Sequence, residues 1–138
     1  MIQVPLWRLY ALRFVFLLLV LFLTTSIWPG LLRHAHAWPL LDGVARCMLA
    51  AVAIVAAIGL VHPLKMLPVL FFEIAWKGLW LIVIGFPLWS AGRLDPDNAD
   101  NFKACAIGVV LFSAVIPWRY VFEQYILAPG ERWRRAAD

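Results

Sequence analysis

The sequence predicts an all-α integral membrane protein, a bundle of four transmembrane helices built from one domain, residues 1–138. Hydrophobic residues make up 64% of the 138-residue chain, and the mean hydropathy is +0.86. Soluble domains are roughly 45 to 50% apolar. Four apolar segments follow one another, each near the roughly 20 residues that a span requires. The polar stretches between them are short, which leaves no room for a soluble catalytic domain.

The first predicted span covers residues 9–32. Its core, residues 14–32, is a 19-residue stretch without a charged side chain. Basic residues before this run and the small residues Ala35 and Ala37 after it are also typical of a secretory signal. The length of the apolar run and Arg33 just before the cleavage site favour a span that stays in the protein.

The second predicted span, residues 39–61, is rich in small residues, which let a neighbouring helix approach closely. We therefore expect it to be the central packing helix of the bundle. Pro63 and Pro68 disfavour continuous helix and predict a tight turn before the third span, residues 69–91. The small residues are Ala50, Ala51, Ala53, Ala56, Ala57 and Gly59.

The stretch at residues 95–100 carries three aspartates, an asparagine and a proline, and it predicts a polar loop in water. The fourth predicted span follows it at residues 103–127. Pro117 lies inside this span and predicts a kink.

The distribution of basic residues predicts the orientation. Lys and Arg are enriched on the cytoplasmic side of membrane proteins, and this chain places seven of them on one side against four on the other, with Lys77 inside a span. The larger group lies on the side of both termini, so we expect both termini to be cytoplasmic in a bacterial inner (plasma) membrane. The larger group is Arg8, Arg13, Lys65, Arg119, Arg132, Arg134 and Arg135, and the smaller is Arg33, Arg46, Arg93 and Lys103.

Charges inside the spans occur as pairs spaced four residues apart, which places both members on one helix face. An unpaired charge at the helix centre costs roughly 2.5 to 3.5 kcal/mol on insertion scales. The two pairs near span ends are predicted to be structural, because long side chains there can reach water. The three pairs are Asp42 with Arg46, Glu73 with Lys77, and Arg119 with Glu123.

The pair Glu73 and Lys77 lies deeper, roughly 8 and 14 Å from the start of its span at the helical rise per residue. Helical spacing places it on one stripe that we expect to face protein. Two interpretations are open, a structural core or a ligand or ion site, whose candidate residues are Glu73, Trp76, Lys77 and Trp80. The full stripe is Val69, Glu73, Trp76, Lys77, Trp80, Ile84 and Pro87.

Cys47 and Cys105 lie 58 residues apart, which excludes a CxxC redox or zinc motif. Both are predicted to lie just below the outer surface at similar depth. They form a candidate thiol pair if their helices are close neighbours, and two free buried thiols if not. The spacing of His34 and His36 does not predict a metal site, and no cofactor motif is present.

The leading functional hypothesis is a non-enzymatic accessory, assembly or scaffold subunit, because no nucleophile, metal or cofactor motif occurs. The expected partners are the lipid bilayer and either further copies of the chain or other membrane subunits. Nucleic acid is not expected, since several basic residues lie near span ends, where they meet lipid phosphates. One alternative is a small proton-coupled or ion-coupled transporter that uses Glu73 and Lys77. The other is a membrane enzyme or redox component that binds lipid or quinone beside Trp76 and Trp80.

Overall fold

The computed structural model describes residues 3–34 and 38–133, and every regular element in these ranges is helical. Three stretches, Leu6–Arg33, Leu40–Gly59 and Leu67–Ser90, are long and apolar enough to cross a membrane, and a bent pair of helices is the fourth candidate. The all-helical class is thereby confirmed. In chain order the α-helices are α1 (Leu6–Ser26), α2 (Trp28–His34), α3 (Leu40–Gly59), α4 (Leu67–Trp80), α5 (Phe86–Ser90), α6 (Pro96–Val115) and α7 (Trp118–Val121). Two π-helical segments, Leu81–Gly85 and Phe122–Leu127, follow α4 and α7.

The long helices pack as two close pairs, α1 along α3 and α4 along α6. Helix α1 also contacts α6 and α3 also contacts α4, whereas no Cα atoms of α3 and α6 lie within 8 Å of each other in the described part of the chain. Helix α1 supplies the largest set of buried side chains, which recur at helical spacing on one face. The prediction that the second span is the central helix is therefore wrong. The buried set of α1 is Leu12, Val15, Phe16, Leu19 and Leu23.

The buried small residues of α3 lie along its main contact, which is with α1. Ala50, Ala53, Ala56 and Gly59 are buried, because small side chains let two helices approach closely. The packing is tight at Gly59, where an added Cβ would lie 2.6 to 2.8 Å from atoms of the Phe16 ring. Glycine is therefore required at this point of the α1–α3 contact.

Two arginines of α1 bind the ends of other helices. Arg13 donates from Nε to the carbonyl oxygen of Leu60 at 3.1 Å, where α3 ends. Arg8 donates from Nη1 to the carbonyl oxygen of Ile116 at 3.2 Å, where α6 ends. The last carbonyls of a helix lack partners within it and carry partial negative charge. Both contacts require that α3 and α6 end beside the first half of α1, as in an up-and-down arrangement.

The polar stretch at residues 95–100 does not form the loop that the sequence predicts. It forms the start of α6 instead. Asp95 is the N-cap residue, Pro96 occupies the first helical position, and Asp97 lies in the first turn. Proline is favoured at this position, and acidic side chains are stabilised near a helix N-terminus. The Asn98 amide donates to the Asp95 carboxylate, and this hydrogen bond lowers the pKa of Asp95. Asp95 therefore stays ionised at neutral pH.

The fourth predicted span is interrupted. Helix α6 ends at Val115, Ile116 is extended with ψ of 127°, and the chain bends by 75° before it continues as Trp118–Leu127. A residue that precedes proline disfavours helical backbone, so Pro117 explains the break. The predicted kink at Pro117 is confirmed, and it is sharp enough to divide the fourth candidate span into two helices. The Trp118 indole donates to the freed carbonyl of Ser113 at 2.7 Å and holds the bend.

Candidate functional site

The centre of the candidate site is the ion pair between Glu73 and Lys77 on α4. The Lys77 ammonium donates to Glu73 Oε2, and among the described residues this is the one salt bridge. The Glu73 side chain is 1% exposed and that of Lys77 is 13% exposed. The predicted pairing of these two residues is confirmed, and the pair is shielded from the surroundings.

Helix α6 provides the surface that receives this pair. Cys105, Gly108 and Phe112 are its buried residues, spaced so that they lie on one face. An added Cβ at Gly108 would lie 2.8 Å from Lys77 Cε and 2.9 Å from Lys77 Cδ. The missing side chain at Gly108 therefore makes room for the aliphatic part of Lys77.

Two aromatic rings flank the ammonium group of Lys77. The Lys77 nitrogen lies 4.1 Å from the centroid of the Trp76 ring and 5.6 Å from that of Phe112. Aromatic faces attract cations, by as much as about 2 kcal/mol where water is absent. The cation thus has a carboxylate and two rings as partners, all from α4 and α6.

Two polar atoms at this site have no hydrogen-bond partner among the residues that the structure describes. Glu73 Oε1 and Trp76 Nε1 are buried and form no hydrogen bond. Leaving a buried acceptor or donor unpaired costs about 1 to 3 kcal/mol. After the ion pair has formed, the site can therefore still accept a hydrogen bond at Glu73 Oε1 and donate one from Trp76 Nε1.

Trp76 also borders an apolar cavity of about 220 Å³ between α3 and α4. Ala45, Met48 and Leu49 of α3 form one wall, and Phe72 and Trp76 of α4 form the other. Trp76 therefore lies between the ion pair and the cavity.

The predicted stripe does not continue to the end of its span. Trp80 is half-buried, but Ile84 is 43% exposed and Pro87 is also exposed. The π-helical segment Leu81–Gly85 explains the difference, because a π-helix places residue i+5 next to residue i. Gly85 consequently packs under Trp80, and an added Cβ there would lie 2.8 Å from the Trp80 ring. Trp80 therefore packs on Gly85 and not next to the exposed residues Ile84 and Pro87.

The other two predicted charge pairs do not form. Asp42 and Arg46 make no salt bridge, and the Arg46 guanidinium lies 4.5 Å from the centroid of the Trp38 ring instead. Arg119 and Glu123 are also unpaired with each other. Their spacing of four residues crosses from α7 into the π-helical segment Phe122–Leu127, where the turn is wider.

The two cysteines are free, and the structure does not bring them together. Cys47 is exposed on α3 and Cys105 is buried on α6. Since α3 and α6 do not contact each other, the two thiols cannot bond without a rearrangement of the helices. The matched depth that was predicted therefore does not make them neighbours.

Gly108 and Phe112 were not identified from the sequence as parts of the site. Their spacing from Cys105, three and seven residues, would have marked a common face of α6. No sequence signal indicates that this face meets Lys77.

The histidine pair falls partly outside the described residues, since only the backbone of His34 is described and His36 is not. Among the residues with described side chains, no group of three or more His, Cys, Asp or Glu is placed to hold a metal ion. No protein family, no curated protein and no solved structure matches the chain.

Proposed function

We propose that the protein is a non-enzymatic assembly subunit of a bacterial inner membrane, with both termini cytoplasmic, and that it binds a second copy of itself through the exposed face of α3. The apolar helices and the excess of basic residues on one side support the membrane location and orientation. Self-association rests on one observation, a row of small residues on α3, two of them exposed and Gly43 partly buried.

This row consists of Gly43, Cys47 and Ala51, spaced four residues apart on one helix face. They border an open groove of about 600 Å³. The buried small residues of α3, Ala50, Ala53, Ala56 and Gly59, are a different set, and Cys47 and Ala51 of this row are exposed. Small residues at intervals of four favour close packing of transmembrane helices.

A second copy fits this face better than a charged partner. None of the residues that line the groove is charged. In a dimer with two-fold symmetry the same patch meets itself, so a charged patch would oppose like charges. An uncharged row of small residues avoids this repulsion and allows the two α3 helices to cross near Cys47.

Oxidative crosslinking in membranes tests the proposal. We expect Cys47 of two copies to form a disulfide-linked dimer, and the Cys105→Ala variant to crosslink equally well. Gly43→Leu should reduce the dimer, because the larger side chain separates the helices. The matched control is Ile107→Cys in a chain without other cysteines, since Ile107 is 66% exposed on α6. Equal crosslinking through Ile107→Cys would indicate random collision and refute the proposal.

A small proton-coupled or ion-coupled carrier is the second candidate. The Oε1 of the buried Glu73, which has no hydrogen-bond partner among the described residues, favours it, because an acidic group inside a membrane span is a candidate coupling group. The enclosure of Lys77 by Trp76, Phe112 and Gly108 favours a structural role for the pair instead. Current across proteoliposomes that depends on a proton or ion gradient and disappears in Glu73→Gln would support the carrier.

A further inference from the structure

We propose that the groove between α3 and the start of α4 binds one anionic phospholipid, with its phosphate at Lys65 and one acyl chain along the groove. The proposal rests on the membrane location within the proposed function, but it does not depend on self-association.

The groove has the composition that an acyl chain requires. Its volume is about 480 Å³, and its lining is apolar except for one charged side chain, Lys65. Two methionines line it, and their flexible side chains adapt to an irregular ligand. The two methionines are Met48 and Met66, and Val55 and Phe72 are among the apolar residues beside them.

The position of Lys65 matches that of a lipid phosphate. It is exposed in the turn between α3 and α4, at one end of the groove, and forms no salt bridge with any described residue. Helix α4 begins two residues later without a side-chain cap and without an acidic residue in its first turn. The partial positive charge of this helix end adds to that of Lys65.

The groove and the neighbouring cavity together extend about as far as one acyl chain. The groove along α4 continues towards the cavity beside Trp76, since Met48 and Phe72 line both. From Leu67 to Trp76 the helix rises roughly 14 Å. Half of the hydrocarbon thickness of a bilayer is about 15 Å. A chain that starts at Lys65 therefore reaches the bilayer midplane along protein surface.

Native mass spectrometry of the delipidated protein, after addition of one defined lipid, tests the proposal. We expect one molecule of phosphatidylglycerol to be retained in preference to phosphatidylcholine. Lys65→Gln should weaken this retention about fivefold, the effect of losing one basic residue at an anionic surface. Val55→Trp should reduce it as well, because the indole fills the groove without changing a charge.

The matched control is Lys103→Gln, which removes an exposed lysine from the opposite end of the bundle and should retain lipid as the wild type does. Equal losses in Lys65→Gln and Lys103→Gln, or equal retention of both lipids, would overturn the proposal in favour of unspecific lipid contact. Circular dichroism verifies that each variant is folded. The native mass spectra also report the number of protein copies. A protein that binds the lipid as a monomer would contradict the proposed self-association but not the lipid site.

Discussion

The ion pair at Glu73 and Lys77 should behave as a single energetic unit. Glu73→Gln and Lys77→Met each remove one charge and leave a side chain of similar size, so neither opens a large cavity. Removing one partner of a buried ion pair costs about 3 to 5 kcal/mol, because the remaining charge is left without compensation. The rings of Trp76 and Phe112 still attract the ammonium in Glu73→Gln, and this attraction offsets as much as about 2 kcal/mol. We therefore expect about 2 kcal/mol of destabilisation in Glu73→Gln and about 4 kcal/mol in Lys77→Met.

The double variant removes both charges together and should lose no more than about 3 kcal/mol, which is less than the sum of the two single losses. Reversible unfolding by dodecyl sulfate in mixed micelles measures the free energy of unfolding of each variant. The same cycle at Asp42 and Arg46, which form no salt bridge, is the control and should be additive. Additive losses at Glu73 and Lys77 would refute the idea that the two residues compensate each other.

Two further predictions concern contacts between helices. Gly59→Ala should destabilise the protein by about 1 to 3 kcal/mol, because the added methyl group overlaps the Phe16 ring. Gly78→Ala, where the methyl group meets nothing within 4 Å, is its control in the same unfolding assay, and equal losses would contradict the packing argument. Arg13→Gln should cost about 1.5 to 3 kcal/mol through loss of a charged hydrogen bond to the end of α3. Arg93→Gln, on an exposed residue, should stay within about 0.5 kcal/mol of the wild type, and a similar change in both would argue against the role of Arg13.

The fold was predictable where the sequence carries a local signal. Runs of apolar residues predicted the first three candidate spans, and Pro117 predicted the break within the fourth. The start of α6 was missed because Asp95, Pro96 and Asp97 are favoured both in a loop and at a helix N-terminus. Their position before a long helix decides between the two.

The site was only half predictable for a comparable reason. The pairing of Glu73 with Lys77 depends on one helix and follows from spacing alone. The place of Gly108 beside Lys77 depends on which helices become neighbours, and the spacing of residues along one helix does not contain that information. The π-helical segment Leu81–Gly85 likewise has no marker in its composition, yet it changes which residues of the span are exposed.

The arginine contacts of α1 imply an order of assembly during synthesis. Arg13 and its acceptor on Leu60 are 47 residues apart, so a nascent chain that has completed α3 already contains both. Arg8 and its acceptor on Ile116 are 108 residues apart. The guanidinium of Arg8 must therefore wait, solvated by water or lipid phosphate, until α6 has been synthesised. This contact joins the first turn of α1 to the end of α6, so the first turn of α1 reaches its final place only after α6 has formed.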